Sequence, residues 1–196
     1  MFQVLCVARG LNYLHSRGVV HGDVKPVSIS LDFVGEILTK FKQNILVNDQ
    51  GDACLADFGL SIVVSNKTSG RTEERRARGH SSIWVAPETL NEERISKETD
   101  VFAYSLVALE VRCSIDQFFA HVDCFVQIFK GESPWGQATA REIMTKITLG
   151  KRPSRPEDAE PFGLTTEVWN CLTACWHQNP GERITISEAL RLLEPT

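Results

Sequence analysis

The chain has 196 residues, of which 42% are hydrophobic and 23% charged, and its net charge is −4. That is the composition of an ordinary soluble protein with room for one substantial core. Its basic residues are not massed into a stripe, so a nucleic-acid surface is not expected, and no apolar run of about 18 residues marks a membrane span.

Met1 to Gly10 is apolar but has no basic flank, so a secretory signal is not expected and the reading is cytoplasmic. Six cysteines stand at Cys6, Cys54, Cys113, Cys124, Cys171 and Cys175, and none forms a C-x-x-C pair. Buried free thiols in a reducing compartment are expected, rather than a disulfide framework or a metal site.

Phe2 to Arg17 carries apolar residues at Val4, Leu5, Val7, Ala8, Leu11 and Leu14, which is helix spacing. Gly18 supplies its C-terminal cap, and Val19-Val20 is a short extended piece. Asn44 to Asn48 reads as a strand, Asp49 to Asp52 as a turn, and Ala53 to Ala56 as the returning strand. Leu60 to Ile83 is polar, Ser/Thr/Arg-rich and aperiodic, which predicts a mobile loop. Glu98 to Glu110 is apolar nearly all round, as a buried central helix would be. Thr139-Ala140-Arg141-Glu142 and Thr185-Ile186-Ser187-Glu188 are capping boxes that start two later helices. Gly150 to Pro161 is a Pro-rich loop, and Trp169 to Trp176 lies on a further helix. No repeat or low-complexity tract is present.

Three short motifs occur in order: His21-Gly22-Asp23-Val24-Lys25-Pro26, Asp57-Phe58-Gly59 and Ala86-Pro87-Glu88. Phosphoryl transfer needs positioning and charge neutralisation more than covalent help. Asp23 can serve as the carboxylate beside an acceptor hydroxyl, Lys25 as the cation near the transferred phosphate, and Asp57 as an oxygen ligand for Mg²⁺. The competing readings are a turn-forming loop Asp at 23 and a strand-end turn at 57. Neither explains the ordered set.

That set resembles the catalytic half of a eukaryotic protein kinase over nearly the whole chain. Lys25 resembles serine/threonine-type and tyrosine-kinase-like enzymes, and Trp135 and the motif around Trp176 resemble the tyrosine-kinase and tyrosine-kinase-like groups. The resemblance implies an α+β, mainly α fold: a kinase C-terminal lobe with a small β-hairpin over residues 1–196, and no N-terminal lobe. It implies ATP and Mg²⁺ as cofactors and a protein substrate accepting on Ser or Thr, with Tyr as the alternative. No nucleic-acid or membrane partner is implied, and the oligomeric state is open. Asp23 would orient or accept the proton of the substrate hydroxyl, with Lys25 beside it on the nucleotide phosphates.

The family needs an Asn five residues after that Asp as a second metal ligand, where this chain has Ser28. Asn44-Ile45-Leu46-Val47 matches the pattern sixteen residues later, so the metal role is assigned to Asn44 together with Asp57. Glu88 and Arg183 match a structural ion pair, and Asp100 matches the carboxylate that holds the catalytic-loop backbone. The competing role of Asp100 is a helix-start carboxylate on the macrodipole. Gly22 stands where an Arg is common. That Arg pairs with a phosphate on the activation loop, so activation through that contact is not expected here. Ser81 lies seven residues before Glu88, where the family often has a Thr touching the catalytic Asp. Arg71, Arg75, Arg76 and Arg78 form a basic cluster, read first as solvated and otherwise as a contact for a phosphorylated or acidic group.

No Gly-rich loop and no Val-Ala-Ile-Lys strand precede the catalytic motif, which implies that the chain alone is inactive. A non-catalytic, pseudokinase-like interaction module is the alternative. Two segments interrupt the family pattern, Val27 to about Lys42 and Val111 to about Gln127. Each begins with Val, whose codon opens with the splice-donor dinucleotide. Removing the first joins Lys25-Pro26 to Gln43-Asn44-Ile45, and removing the second joins Leu109-Glu110 to Ile128-Phe129. They are read as retained introns, with genuine loop insertions as the alternative.

Overall fold

The computed structural model describes residues 2–25, 44–47, 53–64, 83–92, 94–114, 135–157, 160–161 and 163–194. The segment expected at 27–42, Ser28, Ser81 and the arginines at 71–78 lie outside the described residues.

Helix α1 (Phe2–Ser16) opens the chain and ends where Gly18, at φ +71°, turns the backbone into the left-handed region. Strand β1 (Val19–Val20) follows. Strands β2 (Ile45–Val47) and β3 (Ala53–Leu55) form an antiparallel hairpin in the register Ile45 opposite Leu55 and Val47 opposite Ala53. A 3₁₀ turn at Phe58–Leu60 leads into β4 (Ile62–Val63). This strand pairs antiparallel with β1, Val19 opposite Val63 and Val20 opposite Ile62. The start of the expected Leu60–Ile83 loop is therefore a strand, and residues 65–82 of it lie outside the described residues. Ile62 and Val63 are β-branched and pair readily, but a two-residue run is too short to register as alternation.

Helix α2 (Pro87–Glu92) was not anticipated. Pro87 occupies its first position, where a missing N–H costs nothing. The central helix α3 runs Lys97–Ser114, so it starts one residue earlier and ends four residues later than the 98–110 expected. Val111-Arg112-Cys113-Ser114 contains no Gly or Pro, and the hydrogen-bonded ladder continues through it. Helix α4 (Ala140–Thr148), α5 (Thr166–Cys175) and α6 (Ile186–Leu193) complete the order.

The architecture is mainly helical with two small antiparallel sheets, in keeping with a kinase-like C-terminal lobe. Val101 to Tyr104 and Leu106 to Leu109 of α3 are all buried, which explains the lack of an apolar stripe in that helix. Helices α1 and α5 pack against α3, and α6 closes over α1 and α5. Fully burying a side chain such as Leu109 or Phe102 contributes roughly 1.5–3 kcal/mol.

Both capping boxes are present. Thr139 and Thr185 accept from the backbone N–H of Glu142 and Glu188, whose carboxylates accept from the two threonines in return. These bonds hold both Glu carboxyls below the usual carboxylate range. Thr185→Ala is expected to lower the melting temperature by about 2–4 °C. The folded state binds its Glu188 proton less readily than the unfolded chain does. The Glu188 contribution is therefore present above the ordinary carboxylate pKa and fades as pH falls below it. The Thr185→Ala difference should shrink in acid, and thermal scans against pH check this.

Candidate active site

The loop carrying Asp23 is held from beneath by one carboxylate. Asp100, in the first turn of α3, is 1% exposed. It accepts the backbone N–H of His21 and of Gly22, each at 2.8 Å, and faces Nε2 of buried His15 at 2.9 Å. Three donors thus converge on a buried anion, as such an anion requires. Gly22 has φ +79°, and a Cβ there would sit 3.0 Å from the Leu60 carbonyl oxygen. The loop therefore runs close against the turn that follows Asp57.

His21 ties the two motifs together. Its Nε2 donates to the Ala56 carbonyl at 3.1 Å, and its Nδ1 accepts from the Asp23 N–H at 3.3 Å. The ring lies 5.3 Å from that of Phe58. The His21 carbonyl accepts from the Ser61 hydroxyl at 3.0 Å. One fully buried imidazole thereby spans the loop carrying Asp23 and the residue preceding Asp57.

Above this support, Oδ2 of Asp23 accepts from Nζ of Lys25 and from Nδ2 of Asn44, both at 2.7 Å. Nδ2 of Asn44 also bonds the Asp23 carbonyl oxygen. Asn44 is fully buried, and its Oδ1 has no hydrogen-bond partner among the described residues. An orphaned buried carbonyl oxygen is costly, and a cation would satisfy it. Asp57, just beyond β3, is exposed and is the sole non-glycine with positive φ among the described residues (φ 58°, ψ 71°). Such left-handed backbone concentrates at functional sites. Its Oδ1 accepts from the Gly59 N–H at 3.2 Å. The oxygen chemistry of Asn44 and Asp57 fits a hard divalent cation.

Asp23 opens onto a depression lined also by Val24, Trp84, Val85, Ala86 and Thr89. The segment behind it is anchored by Glu88, which pairs with Arg183 through two bonds of 2.6 and 2.8 Å. Both side chains are buried. Arg183 also donates to the carbonyls of His177 and Glu98.

The structure thus brings Asp23, Lys25 and Asn44 into direct contact, and His21 links the loop carrying Asp23 to Ala56, the residue before Asp57. Asp100 lies beneath the loop, and the Glu88–Arg183 pair stands apart as a buried bridge. The roles of His15 and His21 were not read from sequence. His15 carried a signal, as a polar residue on the apolar face of α1 one turn after Leu11. Of the cysteines, Cys171 and Cys175 are buried as expected, but Cys54 is exposed on β3. No cluster of His, Cys, Asp or Glu suited to a metal by itself occurs among the described residues. No described helix is long and apolar enough to cross a membrane.

Residues 2–192 match the protein kinase domain. A Dictyostelium discoideum protein described as a probable serine/threonine-protein kinase is 29% identical over 188 residues, covering 95% of this chain and 16% of that protein. The serine/threonine/tyrosine-protein kinase HT1 of Arabidopsis thaliana is 27% identical over 192 residues, 97% of this chain and 38% of its own. The angiopoietin-1 receptor of Danio rerio is 28% identical over 195 residues, 96% of this chain and 13% of its own. The chain therefore spans well under half the length of each of these relatives. The order of its motifs, the mainly helical fold and the match over residues 2–192 make this chain a member of the protein kinase family.

Proposed function

We propose that this chain carries the catalytic half of a protein kinase that moves the γ-phosphoryl group of ATP to a protein Ser or Thr hydroxyl. The observation that supports this most directly is Asn44: one end of its amide fixes the Asp23 carboxylate, and the other presents a buried, unbonded oxygen. Asn44 Oδ1 and the Asp57 carboxylate are the groups that would hold a divalent metal. The metal, when bound, neutralises charge on the nucleotide phosphates.

The chain's own residues do the positioning. Asp23 receives the acceptor hydroxyl at the edge of the Trp84–Ala86 depression and takes or orients its proton. Lys25 stays within 2.7 Å of that carboxylate, which keeps its ammonium beside the reacting oxygens. His21 and Asp100 fix the loop, so the carboxylate needs little reorganisation when the acceptor arrives. Lys25 favours Ser/Thr acceptors over Tyr by family resemblance. Nucleotide-dependent thermal stabilisation tests the site. The gene product is expected to gain several degrees with ATP and Mg²⁺, and Asn44→Ala is expected to abolish the Mg²⁺-dependent part. Stabilisation that is unchanged in Asn44→Ala overturns the metal assignment.

These 196 residues include no Gly-rich loop and no Val-Ala-Ile-Lys lysine. On that observation the 196-residue polypeptide alone is expected to give no turnover, and a non-catalytic interaction module is the second reading. Absence of any nucleotide-dependent stabilisation in the gene product would favour that second reading.

In this reading the segments 27–42 and 111–127 are retained introns. Continuation of α3 through Ser114 fits a segment that lengthens a helix without adding chemistry. A mature transcript is expected to lack both in frame, and the excised chain to unfold at a higher temperature. A mature transcript that retains both overturns the idea.

A further inference from the structure

Arg152 lies in the segment after α4 and belongs to none of the catalytic motifs. Its guanidinium carbon sits 4.9 Å from the centroid of the Phe102 ring, and that of Arg183 sits 5.0 Å from the same ring. Phe102 is fully buried in α3. Two guanidinium groups over one aromatic ring is an arrangement that repulsion between the cations opposes. An anion nearby and the ring's own negative face must hold it together. The anion is Glu88, paired directly with Arg183. Burial and the charge of Arg183 push the Arg152 pKa down to about 10, while Glu88 acts in the opposite direction, and the group stays cationic at neutral pH.

The rest of the Arg152 fork is engaged. Nε donates to the Trp176 carbonyl at 2.9 Å, Nη1 to those of Lys151 and Ile147 at 2.8 and 3.3 Å, and Nη2 to Oε1 of Gln178 at 2.7 Å. Arg152 therefore joins the end of α4, the turn after α5 and the ring that backs Arg183. Arg183 in turn grips Glu88, two residues from Ala86 in the wall of the depression beside Asp23. Helix α2, which contains Glu88, also packs on α4.

We infer that Arg152 is a positioning residue for acceptor binding: through Phe102 and Arg183 it holds Glu88, and with it the Trp84–Ala86 wall that an acceptor chain meets. Arg152 touches neither Asp23 nor the oxygens assigned to the metal, so its effect should fall on acceptor affinity rather than on nucleotide affinity or the chemical step. The kinetic half of this inference rests on the kinase reading, and the structural half does not.

Two measurements test it, on Arg152→Met and on the milder Arg152→Lys, which keeps the charge but loses the planar fork. The first is amide hydrogen exchange on the chain itself. Exchange over residues 83–92 is expected to rise at least about tenfold in Arg152→Met and less in Arg152→Lys, with α1 unchanged. Unchanged exchange over 83–92, or a uniform rise across the chain, overturns the inference. If Arg152→Met does not fold, Arg152→Lys alone decides on the same criterion. The second is phosphotransfer by the gene product: the KM for a protein acceptor is expected to rise about tenfold, with kcat and the KM for ATP within about twofold. Parallel loss in kcat and both KM values, or no change in the acceptor KM, also overturns it. A wild-type gene product without phosphotransfer defeats the kinase reading but leaves the exchange test standing.

Discussion

Asp23→Asn and Asp57→Asn should each lower turnover by at least about 10²-fold in a polypeptide that carries this chain together with a nucleotide-covering lobe. The two losses have different physical origins. Asparagine at 23 can keep its amide oxygen where Oδ2 accepts from both Lys25 and Asn44, but it removes the charge that would take the hydroxyl proton. Asparagine at 57 keeps the bond from the Gly59 N–H and tolerates the left-handed backbone, so the turn should survive. What is lost is the negative charge proposed to face a divalent cation. Asp57→Asn activity should therefore recover in part at raised Mg²⁺, whereas Asp23→Asn activity should not. Steady-state rates against Mg²⁺ concentration separate the two, and near-wild-type turnover in either variant rejects its assignment.

What could be read from the sequence depended on how local each feature is. The capping boxes at Thr139 and Thr185 involve residues three apart, and both form as expected. Helix α1 shows because its buried residues recur at helical spacing, and α3 because almost every residue in it is buried. Strand β4 did not show, because two residues carry no period, and its partner β1 lies some forty residues earlier. The site was legible where a motif fixes residue types in a row, as at 21–26 and 57–59. Asn44 required a different step, recognition of a displaced pattern, and it stands against Asp23 in the fold.

The supports of the site were far less visible. His15 meets Asp100 across 85 positions, and Arg152 of the segment after α4 meets Phe102 inside α3. No local pattern marks such partners, since each is an ordinary helix or loop residue until the chain is folded. Gly22 gave a partial signal. Its departure from the family Arg was evident, but the positive φ and the close approach to the Leu60 carbonyl are properties of three converging segments.

The second large effect is expected at the Glu88–Arg183 bridge. Glu88→Ala leaves Arg183 charged, with its side chain fully buried, and deprived of its anion, which should destabilise the chain by roughly 3–5 kcal/mol. Arg183→Ala should cost a similar amount for a different reason. It frees the Glu88 carboxylate and removes donors from the His177 and Glu98 carbonyls. The Glu88→Leu, Arg183→Met double variant strands no charge, so its cost should fall clearly short of the sum of the two single losses. Arg152 makes the Glu88 change the more informative one. Without that carboxylate, two guanidinium groups remain over the Phe102 ring with their shared anion gone. Adding Arg152→Met to Glu88→Ala should then restore part of the lost stability, even though Arg152→Met alone is destabilising. Urea unfolding of the wild type, the two single variants and the double variant measures this directly. Strictly additive losses would show that Glu88 does not offset the repulsion between Arg152 and Arg183.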